Sequence, residues 1–361
     1  MSSRDPRRVD SAGRAVLAAG QCFARGRVIL LVLGSIATGS CGSTVPPVTL
    51  ASPAVSVAAA SPSSTPSLQT FRPSPTPTVL ELNREAVIDN LVNPEAAVAG
   101  FGSIWIPNHR GGSLTRVEPA TNQATEIELG VSRTNNIVVF GAGSVWIGVW
   151  TEPDTGMDWL RIDPTSNTIV GKVRVLGRGA FGAGRLWIHD AGRLSVLDPR
   201  HNKVAQTVTV TEYDDETGVA YGDKAVWVAT SRHGLFRVSP KTLKTLARID
   251  DVSAWKVFSD GKEVWTVDEA NGTITRIDTR RNAVDVTLQT RGAVFGRIVG
   301  ETLVVQGGEW LTIVDIPTVS IVAEYQLREG EGGGYPEIAF GSLWVPNFEG
   351  TTVARIRWPL K

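Results

Sequence analysis

The chain has 361 residues, 42% hydrophobic and 20% charged, which are the proportions of an ordinary globular protein. The formal net charge is zero, but residues 1–40 hold six arginines against two aspartates. The remainder of the chain is therefore mildly acidic and has no basic stripe. This charge distribution argues against nucleic acid as a partner, because nucleic-acid-binding proteins neutralise phosphates with clustered Lys and Arg.

Residues 1–40 are predicted to be an export signal. Arg25 and Arg27 precede ten apolar residues, VILLVLGSIA at 28–37, and small residues follow up to Cys41. Ten apolar residues are too few to cross a bilayer as a helix but suit the core of a signal peptide. The sequence TGSC at 38–41 resembles the bacterial lipoprotein signal, although Thr38 stands where an aliphatic residue is usual. The resemblance implies that Cys41 is lipidated and anchors the protein outside the cytoplasm; plain secretion and a retained anchor are the alternatives.

Residues 41–77 are predicted to be a flexible tether. Eight of the 20 prolines fall between residues 42 and 78, with many Ser, Thr and Ala residues and a single charge, Arg72. Such a composition cannot bury enough apolar surface to fold. The only cysteines are Cys22 and Cys41, so the body that follows the tether contains no disulfide. Its stability must come from its core.

From about residue 78 onward, one short pattern recurs at a period near 40. A small or polar residue is followed by an aliphatic residue, a tryptophan and usually a β-branched residue. The tryptophans are Trp105, Trp146, Trp187, Trp227, Trp265 and Trp344, and Val304 stands in their place in a seventh, degenerate copy. A fixed period of this length, with short β-branched runs, indicates repeated β-sheets. The recurrence of tryptophan at one position is interpreted as packing between sheets.

A second recurring pattern marks a turn in each repeat. IDPTSN at 162–167 and LDPRHN at 197–202 are the clearest copies. Asp can bond to the backbone ahead of it, Pro presets φ, and Asn tolerates the left-handed conformation that re-enters a strand. These residues therefore shape hairpins. Seven units of four strands predict an all-β, seven-bladed propeller over residues 78–361. The last unit has only three strands, so Thr78–Asn83 is predicted to supply its fourth and close the ring.

The tryptophan strand and the Asp-Pro-x-x-Asn turn resemble those of bacterial YVTN-type and streptogramin-lyase-like propellers. The resemblance covers the whole body and implies the propeller fold, in a superfamily that contains both enzymes and binding proteins. Streptogramin lyases use a divalent metal and a central His base close to Glu ligands. Their Glu-x-His element is not present here, so their catalytic residues are not carried over. His189, followed by Asp190, is the remaining candidate for a catalytic base.

The ligand site is expected on one face of the propeller, where the hairpins between the second and third strands meet the connections between blades. Polar and aromatic residues concentrate there, including tryptophans outside the repeat. The paired Pro-Asn of the first and last repeats is expected to place two asparagines side by side at the channel rim. The candidate ligand-binding residues are Asn108, His109, Trp150, His233, Trp255, Asp268, Glu269, Trp310 and Asn347.

These features predict an exported, membrane-anchored lipoprotein whose loops bind a small molecule, a glycan or a protein partner. No cofactor is expected, although the acidic loops leave a divalent metal open. One alternative is a metal-assisted lyase or lactone hydrolase that uses His189. Another is a structural adaptor in an envelope complex. Whether the protein is an enzyme stays open at this stage, with binding favoured.

Overall fold

The computed structural model describes residues 83–151, 156–214, 218–328 and 331–358. Within these ranges the chain forms 28 β-strands, which associate into seven antiparallel sheets of four strands each. The structure is thus the predicted all-β, seven-bladed propeller. The described part of the chain offers no helical segment that could span a lipid bilayer. Cys41, the predicted signal and the predicted tether lie outside the described residues.

Each of the first three blades is a meander of four consecutive strands. Blade 1 consists of β2 (Val98–Gly100), β3 (Ser103–Asn108), β4 (Ser113–Glu118) and β5 (Gln123–Glu128). Blade 2 consists of β6 (Thr134–Gly141), β7 (Ser144–Thr151), β8 (Gly156–Asp163) and β9 (Thr168–Arg174). Blade 3 consists of β10 (Arg178–Gly182), β11 (Arg185–Asp190), β12 (Arg193–Asp198) and β13 (Lys203–Thr209).

The next three blades repeat this order. Blade 4 consists of β14 (Gly218–Gly222), β15 (Ala225–Thr230), β16 (Gly234–Val238) and β17 (Thr245–Ile249). Blade 5 consists of β18 (Lys256–Ser259), β19 (Val264–Asp268), β20 (Thr273–Asp278) and β21 (Ala283–Gln289). Blade 6 consists of β22 (Phe295–Val299), β23 (Thr302–Gly307), β24 (Trp310–Asp315) and β25 (Ser320–Gln326).

Blade 7 combines strands from the two ends of the described chain. It consists of β26 (Glu337–Ala339), β27 (Ser342–Pro346), β28 (Val353–Arg357) and β1 (Arg84–Ile88). The outer strand β1 pairs antiparallel with β28, from Arg84 opposite Ile356 to Ile88 opposite Val353. The predicted closing segment Thr78–Asn83 lies outside the described residues except for Asn83, whose carbonyl accepts from the amide of Arg357 at 2.9 Å.

The two ends of the ring differ in the connections that they carry. We call the end with the hairpins between second and third strands, and with the connections between blades, the loop face. The opposite end, with the turns between first and second and between third and fourth strands, is the turn face. Asn83 lies at the turn face, because Arg357, to which it bonds, also pairs with Ser342 at the start of β27. The described chain therefore begins at the end of the propeller that is opposite the loop face.

The repeated tryptophans are core residues. All six have no exposed surface: Trp105, Trp146, Trp187, Trp227, Trp265 and Trp344. In five of them the indole Nε1 donates to the carbonyl oxygen five residues earlier, at 2.8–3.2 Å. A buried indole N–H usually finds an acceptor, and among the six only that of Trp265 has none in the described residues. The prediction that these tryptophans pack the blades together is confirmed.

Recurring glycines let neighbouring inner strands approach each other. A Cβ on Gly141 would lie 2.2 Å from the ring of Phe181 in the next blade, and a Cβ on Gly182 would lie 2.0 Å from the ring of Tyr221. No side chain fits at such distances. Each glycine therefore gives an aromatic ring of the following blade room to lie directly on the backbone, which holds the inner strands together around the channel.

Four arginines each connect one blade to the next, and we call them the arginine clamps. They stand opposite the tryptophan on the third strand, with the guanidinium 4.9–5.5 Å from the ring centroid: Arg116, Arg161, Arg237 and Arg355. Each Nη1 also donates to the side-chain oxygen of an asparagine in the next blade, at 2.7–3.4 Å. A clamp thus combines a cation–π contact with charge-assisted hydrogen bonds across the blade boundary.

The asparagines that receive the clamps are those of the predicted turns. Asn122, Asn167, Asn202 and Asn282 all have positive φ, between 48° and 60°. Asp163, at the start of one such turn, accepts from the amides of Thr165 at 2.7 Å and Ser166 at 3.0 Å. These two amide bonds are the largest causes that hold the pKa of Asp163 below its usual value. The prediction that these residues shape hairpins is confirmed, and the asparagine has the additional role of joining blades.

Candidate functional site

A cavity among the described residues lies in the central channel at the loop face. Its volume is about 220 Å³. The first residues of three inner strands, Arg178, Lys256 and Phe295, surround its mouth, together with Tyr335 before β26 and Asn136 on β6. Below them the wall is apolar and contains Val98, Val138, Val219 and Val257. The site is therefore polar and aromatic at its opening and apolar inside.

Arg178 reaches across the mouth of the channel. Its Nη1 lies 3.3 Å from Oδ1 of Asn136 in blade 2 and 3.4 Å from the hydroxyl of Tyr335 beside blade 7. Both partners are neutral, and the described residues place no carboxylate in an ion pair with this guanidinium. Burial raises the pKa of the Tyr335 hydroxyl, while Arg178 acts in the opposite direction. A half-buried cation thus faces the cavity, and its hydrogen-bond partners are neutral.

A second cation at the mouth is paired. Nζ of Lys256 lies 2.8 Å from Oε2 of Glu269 and 4.8 Å from the centroid of the Phe295 ring. Phe295 in turn packs against the ring of Tyr335. Ammonium, phenyl and phenol groups therefore form one continuous stack along this side of the mouth, which gives the aromatic rings fixed positions.

Deeper in the channel, Glu337 joins three blades. Its carboxylate accepts from the guanidinium of Arg297 in blade 6 and, through Oε2, from the amide of Ala99 in blade 1 at 3.0 Å. Burial raises the pKa of Glu337, and the charge of Arg297 opposes this shift. Arg297 lines the cavity, but its charge is compensated by this buried partner.

Val304 also lines the cavity. It is the residue that stands in the tryptophan position of the degenerate copy, which forms blade 6, and it is buried, as the six tryptophans are. A valine side chain is much smaller than an indole, so blade 6 leaves space that the other blades fill. The missing tryptophan is therefore a feature of the sequence that could have indicated the position of this cavity. It does not indicate any of the charged residues at the mouth.

The predicted catalytic candidates lie behind the channel wall. His189 is fully buried at the end of β11, and burial lowers its pKa to about 4, against the opposing effect of Asp214. Asp214 is itself buried and accepts from the amide of Arg232 at 2.9 Å. Asp190 is half-buried, and burial raises its pKa. Neither His189 nor Asp190 lines the cavity, and a catalytic role for them stays a prediction.

The two asparagines of the repeated Pro-Asn occupy different environments. Asn108 is buried, and its amide nitrogen donates to the hydroxyls of Ser113 and Thr115, each at 2.9 Å. Asn347 is half-buried and forms a backbone bridge with Gly333. Asn93 connects the two hairpins, since its carbonyl accepts from the amide of His109 and its own amide donates to the carbonyl of Gly350. The side-chain amide nitrogen of Asn108 therefore bonds within blade 1, while its Oδ1 accepts from the amide of Val92 before that blade, at 3.4 Å.

His109 lies at the boundary of blades 1 and 7. Its Nδ1 is 2.8 Å from the carbonyl of Thr134 and 3.2 Å from Oε2 of Glu95, and its ring packs against that of Phe348. The contact with Glu95 is the main cause that raises the pKa of His109. This pair forms a compact cluster at the loop face, and the backbone carbonyl of Glu95 connects it to the cavity by accepting from the amide of Tyr335 at 2.9 Å.

The neighbouring acidic residues Asp268 and Glu269 have different partners. Asp268 is buried and caps its own hairpin, with its Oδ2 2.7 Å from the amide nitrogen of Asn271. Glu269 pairs with Lys256 at the mouth, so it is the predicted residue closest to the cavity. The described residues contain no group of three His, Cys, Asp or Glu side chains that could hold a metal ion.

The other predicted residues lie around the loop face. Trp150 falls on β7 rather than in a loop, because the hairpin strands extend further than predicted; it pairs with Met157 on β8. Trp310 begins β24 and carries the guanidinium of Arg291 at 4.6 Å from its centroid. The backbone amide of Trp255 donates to Val267. The carbonyl of His233 accepts from Arg248. A binding role for these four residues stays a prediction.

Comparison with models of known protein families gives no match for this chain. Comparison with curated proteins gives none either.

Proposed function

We propose that this protein is an exported, lipid-anchored binding protein that takes up a small molecule at the loop-face mouth of its channel. The observation that carries the proposal is the cavity of about 220 Å³, which combines an apolar wall with a few polar groups at its opening. Ligand sites have this composition, because apolar surface supplies affinity and a small number of polar groups fixes orientation. Export and anchoring at Cys41 rest on the N-terminal sequence.

The size of the cavity restricts the ligand. An engineered cavity of about 150 Å³ in a protein core accommodates benzene, so about 220 Å³ suits a molecule with one ring or a short aliphatic chain and one polar group. A glycan or a protein segment would have to bind mainly outside the channel. Binding is favoured over catalysis, because the predicted base His189 is fully buried and does not line the cavity.

The proposal is tested by refilling the cavity. Val304→Trp restores the residue that the other six blades carry and should occupy the space that the ligand needs. We expect full-length protein in detergent to show a thermal shift with at least one small molecule, and isothermal titration to show at least tenfold weaker binding to Val304→Trp. The matched control is Val322→Trp, the same substitution at an exposed position on β25 of the same blade.

Circular dichroism should show that both variants are folded. The proposal fails if no compound stabilises the wild-type protein, or if folded Val304→Trp binds as tightly as the wild type. Turnover of the bound compound, most directly of a lactone, would instead favour the enzyme alternative.

A further inference from the structure

The cations that line the channel differ in whether they are paired. Three cations line the cavity, Arg178, Lys256 and Arg297. Glu269 compensates Lys256, and Glu337 compensates Arg297. Glu95 is 3.2 Å from Nδ1 of His109, and the charges of Glu95 and Glu269 both act on the Tyr335 hydroxyl. Among the described residues Arg178 itself has no ion pair, and its two hydrogen-bond partners are neutral. A cation that is partly removed from water without a counter-charge is costly, and a ligand of opposite charge removes this cost.

The guanidinium of Arg178 restricts the class of anion that the site would bind. A guanidinium presents several N–H groups in one plane and binds a carboxylate through two parallel hydrogen bonds. The two contacts of Arg178 within the protein both come from Nη1 and are long, at 3.3 and 3.4 Å. Its remaining N–H groups are available for a planar oxyanion. A phosphate monoester carries nearly two negative charges near pH 7, which would leave the site with an excess of negative charge, whereas a carboxylate carries one.

The lower part of the cavity selects the rest of the molecule. Below the mouth the wall is mainly apolar and rich in valine, and its charged residue Arg297 is paired with Glu337. Phe258 closes against Gly296, where an added Cβ would lie 2.3 Å from its ring. A polar body would lose its hydration there without compensation, while an apolar body gains about 25 cal/mol for each Å² that it buries. The ligand should therefore have a charged head and an apolar tail.

We propose that the ligand is a small organic monocarboxylate, bound with its carboxylate on Arg178 and its apolar body in the valine-lined channel. This inference rests on the proposed function and names the chemical class that the site accepts. Asn136 and the Tyr335 hydroxyl, which already contact the guanidinium, hold it in place and are positioned to share hydrogen bonds with the carboxylate.

The experiment compares matched ligands on the full-length protein. Isothermal titration is performed with acetate, hexanoate and benzoate, with the corresponding amides, and with phenyl phosphate. We expect at least one carboxylate with an apolar body to bind at least tenfold more tightly than its amide and than phenyl phosphate. Acetate should be the weakest carboxylate, because it has almost no apolar body.

Two variants of Arg178 test whether its guanidinium causes the preference for a carboxylate over the corresponding amide. Arg178→Met retains an apolar stem but removes the charge, and it should bind carboxylate and amide equally. Arg178→Lys keeps the charge without the planar fork and should retain only part of the preference. The matched control is Arg193→Met, which changes an exposed arginine at the start of β12 and should bind like the wild type.

The outcomes separate the two proposals. If amides bind as tightly as carboxylates and Val304→Trp abolishes both, the cavity binds ligands but the monocarboxylate class is wrong. The class is also wrong if phenyl phosphate binds most tightly, if no carboxylate of the series binds, or if folded Arg178→Met keeps the preference. If compounds of every class, including a wider neutral series, leave both the wild type and Val304→Trp unaffected, the proposed function itself fails.

Discussion

At the residue scale, the arginine clamps follow the turn sequence of the next blade. An arginine reaches forward wherever the next turn contains Asn, as Arg161 does to Asn202. The turn of blade 4 has Leu243 at the corresponding place, and the residue opposite Trp187 in blade 3 is Val196. Blade 6 carries Val319 in its turn, and Arg276 of blade 5 pairs with Glu263 of its own blade instead. Arginine and asparagine thus form one functional pair at the four blade boundaries that carry a clamp.

Arg355 provides the sharpest test of a clamp, because it joins blade 7 to blade 1. Its Nη1 lies 2.7 Å from Oδ1 of Asn122, and only 15% of its side chain is exposed. Replacing it with Met removes charged hydrogen bonds that are partly buried. We expect Arg355→Met to lower the free energy of unfolding by about 2–3 kcal/mol in urea denaturation.

Arg357 is the matched control for Arg355. It lies two residues further along β28 and also contacts Glu85, but 67% of its side chain is exposed. An exposed ion pair contributes little, so Arg357→Met should change the free energy of unfolding by no more than ~0.5 kcal/mol. Equal effects of the two substitutions would contradict the clamp.

His189 predicts how stability depends on pH. Its pKa is lowered to about 4 in the folded protein, while an unfolded chain binds the same proton near pH 6.5. The unfolded state therefore holds more protons between these values, and stability is lost as the pH falls from about 6.5 to about 4. The loss amounts to ~3 kcal/mol from this residue.

We expect His189→Gln to flatten the pH dependence of unfolding over this interval, measured as the slope of the free energy of unfolding against pH. His233→Gln, in the next hairpin, is the control for the substitution itself. A slope for His189→Gln that matches the wild-type slope would show that the buried histidine does not titrate as argued.

At the element scale, the inner strands depend on contacts between glycine and aromatic rings. Gly141 at the end of β6 lies under the ring of Phe181 on β10, so a methyl group cannot be added without moving one strand. We expect Gly141→Ala to destabilise the protein by about 1–3 kcal/mol, the usual cost of overpacking. Phe181→Leu should relieve much of that cost in the double variant, because it removes the ring that the methyl group meets.

A double-mutant cycle in urea checks this pairing. A coupling energy of at least ~0.5 kcal/mol is the sign of direct contact, and strictly additive effects would contradict it.

The strands themselves were predictable, whereas the site that they form was not. The tryptophan motif and the Asp-Pro turns act locally, so their spacing predicts blades, turns and the all-β fold. Arg178, Lys256, Phe295 and Tyr335 come from separate blades, and no short pattern connects them. The polar composition of the hairpin loops predicts a ligand site in those loops, but the cavity lies at the inner strands behind them. Only Val304, the gap in the tryptophan series, marked its position in the sequence.

At the scale of the whole molecule, the sequence predicts two functional ends. The proposed ligand site lies at the loop face of the propeller, and the proposed anchor precedes the propeller in sequence. The chain has no cysteine after Cys41, so a substitution there affects lipidation without removing a disulfide from the body.

We expect Cys41→Ser to abolish incorporation of labelled fatty acid in a bacterial host and to move the protein from the membrane fraction to the soluble fraction. Cys22→Ser, within the predicted signal, is the control and should leave both properties unchanged. Membrane association of Cys41→Ser equal to that of the wild type would contradict the proposed anchor.

The position of Asn83 has a mechanical consequence. Any tension between the proposed anchor and a held ligand enters the propeller through β1, the outer strand of blade 7. A pull on Asn83 away from the propeller acts along β1, so the backbone pairs with β28 share the load instead of breaking one at a time. Glu85 adds side-chain bonds at the end of β1 where the tension enters, since its carboxylate accepts from Ser342 at 2.7 Å and from Arg357 at 3.0 Å. The channel mouth lies at the unloaded end, where traction on the chain would leave its shape undisturbed.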